Sequence, residues 1–314
     1  MLPTVCSHKG YLLKSRGPAL YALVLLTLIN FLNYTDRCIV SAVLPHLQMF
    51  FNVTSGEAGY ILTSFVVASM IVSPICGYLG DRISRKWIVI VGIAFWAFFT
   101  LAGSFVGPNN YWLFVAIRGM VGVGEASYST VAYSILGDLF TRKDRLVALG
   151  IFSLAVPFGT GAGYITGEVA YEVASKLVSA SDQKYAWQWA FRITPALGVI
   201  CCILSIIFLP DPARGNADDV PDANEKTSVF TDIIILSQNR SVVFATLGYI
   251  AIDFVAGSLG FWAPTYVDNN HADAGVPFGG IINFGIVSII GGIGGVFLGK
   301  IIVKYSPVTN NFFA

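Results

Sequence analysis

Long apolar segments are the feature that most constrains the fold of this chain. An α-helix needs about 20 apolar residues to cross a hydrocarbon core about 30 Å thick. Only 12% of the residues are charged, against about 25% in soluble domains. This pattern excludes a soluble protein and predicts an all-α membrane protein with eight spans, at residues 19–45, 57–79, 87–107, 111–137, 146–170, 186–209, 241–267 and 279–303.

The polar stretches between these spans predict the organisation of the chain. Residues 211–240 are rich in proline and acidic residues and indicate a linker. Six spans, a polar linker and further spans are typical of one half of a two-half transporter followed by the start of the second. The expected parts are an N-terminal segment at 1–18, a six-helix bundle at 19–210, the linker at 211–240, the first two helices of a second bundle at 241–303, and a tail at 304–314.

The basic residues predict the orientation of the spans. Fourteen of the nineteen lie in segments that fall on one side of the membrane, and Lys176 and Lys184 lie on the other. The positive-inside rule therefore places the N-terminus, the linker and the tail in the cytoplasm. The sequon Asn52-Val53-Thr54 falls in the first loop on the opposite side, so Asn52 is a candidate glycosylation site.

A few ionisable residues lie inside the predicted spans. They are Asp36 and Arg37 in the first, Arg118 and Glu125 in the fourth, Arg192 in the sixth and Asp253 in the seventh. A charge at such depth is costly unless it is paired or faces a water-filled cavity, so these residues indicate a functional site. An ion pair that only locks two helices together is the alternative, and the sequence leaves both interpretations open.

Helix geometry relates four of these residues. Adjacent residues on a helix point about 100° apart, so Asp36 and Arg37 each need a partner on another helix. Arg118 and Glu125 are seven residues apart and share one stripe of the fourth helix. We expect this stripe to face the first helix. Protonating Asp36 or Glu125 would then free an arginine and change which helix arrangement is favoured, which is the physical basis of proton coupling.

The loop after the second span carries the sequence GYLGDRISRK, residues 77–86. Glycines at the end of the helix bring an acidic residue into a basic turn, where it can cap or pair with a neighbouring helix end and stabilise one closed state. A plain basic loop is the alternative. The predicted gate residues are Gly77, Gly80, Asp81, Arg82, Arg85 and Lys86.

This loop resembles the signature between the second and third spans of the major facilitator superfamily, with Ser84 where the common pattern has glycine. Seven motifs between about residue 20 and residue 303 resemble, more narrowly, the Spinster family of lipid transporters. They are NYTDR, GYLGDRISRK, RGMVGVGEASYST, LGDLFTRKDR, PFGTGAGYITG, WQWAFRITPALG and GSLGFWAPTYV. The resemblance implies a major-facilitator-type helical bundle, of which this chain would hold the six-span N-terminal half and two spans of the second half.

The resemblance also implies a function. It indicates a proton-linked carrier of lysophospholipids or sphingolipids such as sphingosine-1-phosphate, in a late endosomal, lysosomal or plasma membrane. By motif match, Asp36 and Glu125 are the expected proton-responsive carboxylates. Arg37 and Arg118 are their expected partners and candidate contacts for a lipid head group. The partners implied are an amphiphilic substrate, protons and the bilayer.

Other interpretations remain open. Family members have twelve spans, so a shortened chain that pairs with or regulates full-length relatives is an alternative, and a carrier of a sugar or organic anion is another. The glycine-rich runs in the fourth and fifth spans do not follow a strand, so we interpret them as close helix contacts and not as nucleotide sites. We expect no enzymatic activity, metal, cofactor or nucleic-acid partner, because no metal-ligand or catalytic constellation appears.

Overall fold

A computed structural model describes residues 9–179, 182–212, 235–271 and 279–305. This part of the chain is helical and contains no β-strand, and a short 3₁₀ turn covers Gln183–Tyr185. The α-helices are α1 (Lys9–Ala42), α2 (Leu44–Phe51), α3 (Ser55–Gly80), α4 (Arg85–Gly103), α5 (Tyr111–Leu139), α6 (Arg142–Leu177), α7 (Trp187–Phe208), α8 (Arg240–His271) and α9 (Gly280–Tyr305).

Several expected segments fall wholly or partly outside the described residues. Most of the expected linker, at 213–234, and most of the expected tail, at 306–314, are among them. The expected N-terminal segment is described from Lys9, where α1 begins, so helix extends into residues that were expected to precede the first span.

Seven stretches among the described helices are long and apolar enough to cross a membrane. They lie in α1, α3, α4, α6, α7, α8 and α9. The fourth predicted span, α5, is not among them, because its charged residues and its many Gly, Ser and Tyr residues lower its mean hydropathy. With 29 residues α5 is about 43 Å long, and it packs against both α3 and α4. We therefore retain α5 as a membrane-crossing helix.

The first predicted span, 19–45, corresponds to α1, and a short helix that the sequence did not predict follows it. α1 ends at Ala42, and α2 begins after a single residue, with Pro45 in its first turn, where the missing N–H of proline is tolerated. α2 ends at Phe51, and its cap residue Asn52 adopts a left-handed conformation with φ of 53°. A capping box then starts α3, in which the Thr54 N–H donates to the Glu57 carboxylate over 2.8 Å.

Two buried apolar clusters hold the helices together. One contains residues 22–32 of α1 and 121–136 of α5, together with Trp96 of α4. The other contains Ile39 and Val40 of α1, apolar residues between 111 and 115 of α5, Trp187 and Phe191 of α7 and Phe261 of α8. Along α1, the segment that carries Asp36 and Arg37 lies between these two clusters. The packing therefore places the charges of α1 at mid-depth in the bundle.

Glycines permit several close helix contacts, of which two show the principle. A Cβ atom added at Gly122 of α5 would lie 2.4 Å from the carbonyl oxygen of Phe65 on α3. A Cβ atom added at Gly161 of α6 would lie 2.5 Å from the carbonyl oxygen of Gly285 on α9. Both distances are too short for any larger residue, so these glycines in the fourth and fifth spans serve backbone contact, as the sequence predicts.

The two ends of α8 have different surroundings. Residues 241–259 are exposed along their whole length, whereas Phe261 and Pro264 are buried. The Tyr164 hydroxyl of α6 donates to the carbonyl oxygen of Gly260 over 2.7 Å. Among the described residues, α8 therefore meets the bundle through its second half.

Candidate functional site

A cavity of about 780 Å³ lies between α1, α3, α5, α6 and α8. Its wall is largely apolar and aromatic, which suits an amphiphilic ligand. Three charged side chains face it, namely Arg37, Arg118 and Asp253. Four tyrosines, each from a different helix, also line it, namely Tyr34, Tyr133, Tyr164 and Tyr249.

The four intramembrane charges of the first and fourth predicted spans form two ion pairs between α1 and α5. Nη2 of Arg37 lies 2.5 Å from Oε1 of Glu125, and Nη1 of Arg118 lies 3.4 Å from Oδ2 of Asp36. Because Asp36 and Arg37 point in different directions around α1, each reaches a different level of the α5 stripe. The structure thus brings together the four residues that the helix geometry related.

Asp36 is held in a cage of hydrogen bonds. Its carboxylate is 1% exposed. Trp96 Nε1 and Thr100 Oγ1 of α4 donate to Oδ2 over 3.2 and 3.4 Å, and Thr194 Oγ1 of α7 donates to Oδ1 over 2.7 Å. With Arg118, these donors satisfy a buried carboxylate that would otherwise be costly. Asp36 therefore ties α1 to α4, α5 and α7, and it does not line the cavity.

The Arg37–Glu125 pair lies closer to the cavity. The Arg37 side chain is 37% exposed and faces the cavity, while Glu125 lies behind it at 9%. The Asn33 amide, oriented with its nitrogen towards Glu125, lies 2.9 Å from both carboxylate oxygens. The Arg37 guanidinium also sits over the Phe65 ring, 4.8 Å from its centroid. Protonation of Glu125 would weaken its attraction for Arg37 and release the guanidinium towards the cavity.

Sequence reasoning missed the uncharged members of this site. Trp96, Thr100 and Thr194 complete the Asp36 cage, and Asn33 completes the surroundings of Glu125. Asn33 lies one turn before Arg37 in an apolar helix. That spacing could have indicated that the two side chains share one face of the helix. Tryptophan and threonine are ordinary in apolar spans, so their sequence positions carried no comparable signal.

The predicted gate residues surround the turn between α3 and α4. Arg85 is buried, donates from Nε to the carbonyl oxygen of Gly80 over 3.2 Å, and forms an ion pair with Asp138 near the end of α5. Asp81 is exposed and lies 3.8 Å from Arg85 on the same turn. The ion pair that joins two helices here is therefore Arg85–Asp138. Asp138 was missed, although it follows Leu136 and Gly137 as Asp81 follows Leu79 and Gly80.

The remaining gate residues are spread around this turn. Lys86 Nζ donates to the carbonyl oxygen of Ile206 on α7 over 2.8 Å. The Arg82 guanidinium lies 4.2 Å from the centroid of the Tyr78 ring. Gly77 has nothing within 4 Å of an added Cβ atom, so no close contact requires glycine there. The candidate glycosylation site, Asn52, is exposed between α2 and α3.

Comparison with known proteins identifies the fold family. The profile of the Major Facilitator Superfamily matches residues 26–314. The chain belongs to this superfamily. A solved bacterial homolog of the human lysosomal transporter Spinster, in an inward-facing and unoccupied conformation, shares the fold with a TM-score of 0.74 and 20% identity, over 93% of this chain and 64% of that one.

Curated relatives narrow the resemblance to Spinster proteins. The chain is 41% identical to protein spinster homolog 1 of Homo sapiens, over 81% of this chain and 46% of that protein. It is 39% identical to the sphingosine-1-phosphate transporter SPNS2 of Mus musculus, over 85% and 49%. The predicted resemblance is confirmed, and the chain spans about half the length of the curated relatives it matches. These relatives and the fold are those of membrane transporters and not of enzymes, so this chain is an integral membrane protein.

Proposed function

We propose that this chain is a proton-linked carrier of lysophospholipids or sphingolipids, of the class of sphingosine-1-phosphate, that works by alternating access. The observation that carries the proposal is the Arg37–Glu125 pair, whose arginine faces a cavity of about 780 Å³ while its carboxylate lies behind. A similar protein of mouse is named as a sphingosine-1-phosphate transporter. A largely apolar wall with one accessible guanidinium suits a cargo with an acyl tail and a phosphate.

A proton and a phosphate would act on this pair in a coupled way. With Glu125 ionised, its carboxylate neutralises Arg37 and competes with an anionic cargo. With Glu125 protonated, the guanidinium becomes available to the cargo phosphate, with which it can form two parallel hydrogen bonds. Proton binding and cargo binding thereby favour each other at the same arginine. Asp36 is the second carboxylate of the proposal. Its hydrogen bonds and its ion pair hold Arg118 and the four helices α1, α4, α5 and α7 in place.

Alternating access requires that the cavity open to one side at a time. The second half of α8 closes one end of the cavity through Phe261 and the Tyr164–Gly260 hydrogen bond. The first half of α8 is exposed among the described residues, and we assign the opening of the cavity to that end. The Arg85–Asp138 pair and the basic turn lie at the end of α3 and α5 on that open side, where we assign the gate. We assign the same side to the cytoplasm on the positive-inside rule, with the N-terminus.

Two further assignments concern the cellular membrane and a modification site. We assign the chain to a late endosomal, lysosomal or plasma membrane, because its resemblance to the Spinster family implies these membranes. Asn52 is exposed in the loop at the opposite, non-cytoplasmic side and is the proposed glycosylation site.

The proposal is tested with the chain reconstituted in liposomes. We expect flux of a labelled lysophospholipid that a pH difference across the membrane accelerates, and we expect Glu125→Gln to abolish the acceleration. Glu172→Gln is the matched control, because this glutamate of α6 is exposed and pairs with Lys176 away from the cavity. Xylose in excess should not compete, which separates a lipid carrier from a sugar carrier. Lipid flux that ignores the pH difference in the unaltered chain contradicts proton linkage, and no lipid flux contradicts the assigned cargo.

A further inference from the structure

Arg192 of α7 is a charged side chain inside a predicted span that neither the cavity nor the gate uses. It lies in the second turn of α7, and its Nε donates to Oγ of Ser104, directly after the end of α4, over 3.3 Å. Because α4 begins at Arg85, Arg192 lies at the end of the bundle opposite the Arg85 turn. It forms no ion pair with any described residue. Most basic residues lie at the other end, so the positive-inside rule does not account for this arginine.

Two aromatic rings flank the Arg192 guanidinium. Its central carbon lies 4.7 Å from the ring centroid of Trp189 and 5.0 Å from that of Phe105. Both aromatic side chains are exposed on the surface of the bundle, at 51% and 67%. An exposed aromatic side chain near the end of a membrane-crossing helix faces the lipid at the level of the head groups. The guanidinium therefore lies on the outer surface of the contact between α4 and α7, at the depth of the lipid phosphates.

The contacts of Arg192 leave one edge of the guanidinium free to bind a ligand. Nε is bonded to Ser104, whereas neither Nη atom donates a hydrogen bond to a described residue, and neither is buried without a partner. The two Nη atoms can donate two parallel hydrogen bonds to the oxygens of one phosphate group. Since the Ser104 hydrogen bond and the two rings already fix the side chain, little rotamer entropy is lost when a phosphate binds.

We propose that Arg192, Trp189 and Phe105 form a binding site for the phosphate of a phospholipid in the leaflet opposite the Arg85 turn. The occupant is a membrane lipid and not a free anion, because the rings beside the guanidinium are exposed towards the bilayer and can contact acyl chains. Through Arg192 and Ser104, the bound lipid joins the ends of α4 and α7. None of these residues lines the cavity, so the inference goes beyond the proposed function and does not rest on it.

The test compares two lipids with the same acyl chains, dioleoylphosphatidylglycerol, which carries a phosphate, and dioleoylglycerol, which does not. Binding to the purified full chain in detergent is measured by native mass spectrometry. We expect the unaltered chain to bind the phosphate lipid at least about tenfold more tightly in its first binding event. Arg192→Gln should remove most of this preference. Arg192→Lys should keep only part of it, because an ammonium lacks the planar fork.

A matched variant separates a defined site from the loss of one positive charge. Lys184 lies at the same end of the bundle, is exposed, and has its Nζ 5.2 Å from the ring centroid of Tyr185. Lys184→Gln should therefore keep the preference. A preference that survives in Arg192→Gln, or that both variants lose to the same extent, overturns the site. Displacement of the lipid by inorganic phosphate overturns the assignment to a lipid.

Two further variants keep the proposal testable if Arg192→Gln does not fold. Full retention of the preference in Arg192→Lys overturns the role of the guanidinium fork. Trp189→Ala removes one of the two rings and leaves the charge in place, so it should weaken the phosphate lipid by about threefold. Unchanged binding in Trp189→Ala overturns the part assigned to the ring. All of these results leave the proposed function standing, because flux through the cavity is measured separately.

Discussion

Asp36 and Glu125 are both buried carboxylates paired with arginine, yet their surroundings differ in a way that separates their roles. Asp36 accepts hydrogen bonds from side chains of three other helices and has no contact with the cavity. Glu125 has Arg37 and Asn33 beside it, and Arg37 opens to the cavity. A proton on Asp36 would disturb the packing of four helices, whereas a proton on Glu125 would change what the cavity offers to a cargo.

Asp36→Asn tests the structural part of this distinction. The substitution leaves Arg118 buried without its charge partner, which typically costs about 3–5 kcal/mol. We therefore expect a clear fall in the midpoint of thermal unfolding in detergent, measured by tryptophan fluorescence. Asp81→Asn serves as the control because Asp81 is exposed, and it should leave the midpoint nearly unchanged. Equal midpoints for the two variants would contradict the supporting role of Asp36.

At the scale of helices, the main features of the bundle were predictable and the breaks were not. The apolar periods and lengths predicted most of the spans, because crossing a membrane requires long helices in which every backbone group is paired. The short helix α2 was missed, since Pro45 can equally start a helix or lie within a longer one. The Asp36–Arg118 and Arg37–Glu125 pairing followed from spacing on two helices. The Asp36 cage depends on how α4 and α7 pack, which spacing within one helix does not reveal.

The contact between α3 and α5 gives a prediction with an internal control. A methyl group at Gly122 would lie 2.4 Å from the Phe65 carbonyl oxygen and 2.8 Å from Ser69 Oγ, so the two backbones would have to separate. Gly122→Ala should therefore destabilise the bundle by about 1–3 kcal/mol. Gly137, on the same helix, has nothing within 4 Å of an added Cβ atom, and Gly137→Ala should be neutral or slightly stabilising. Thermal unfolding of both variants makes the comparison, and equal effects would argue against a close contact at Gly122.

At the scale of the whole molecule, the residues that line the two ends of the cavity differ in exposure within the described part of the chain. Tyr249 and Phe261 lie on the same helix and line the same cavity, but their exposures are 66% and 3%. The difference follows from the way α8 touches the bundle at its second half only. The sequence alone did not indicate which end is closed, because the same spans are compatible with either arrangement.

Cysteine labelling tests this asymmetry. In a cysteine-free background, Tyr249→Cys should react rapidly with a membrane-impermeant methanethiosulfonate reagent added on the side of the Arg85 turn. Phe261→Cys should react at least about tenfold more slowly, since its side chain is buried between helices. Rapid reaction of both cysteines from that side would contradict the closed end. Reaction of Tyr249→Cys only from the opposite side would contradict the assigned gate.

The attachment of α8 at one end makes this helix a lever. About 20 residues separate Gly260, where Tyr164 holds it, from Arg240, a distance of about 30 Å along the helix axis. A tilt of about 10° around that point would move the far end by about 5 Å, close to the rise of one helical turn. A small adjustment where α8 is clamped would therefore swing Asp253 and Tyr249 towards or away from α1 and α5, and bring the walls of the cavity together around whatever it holds.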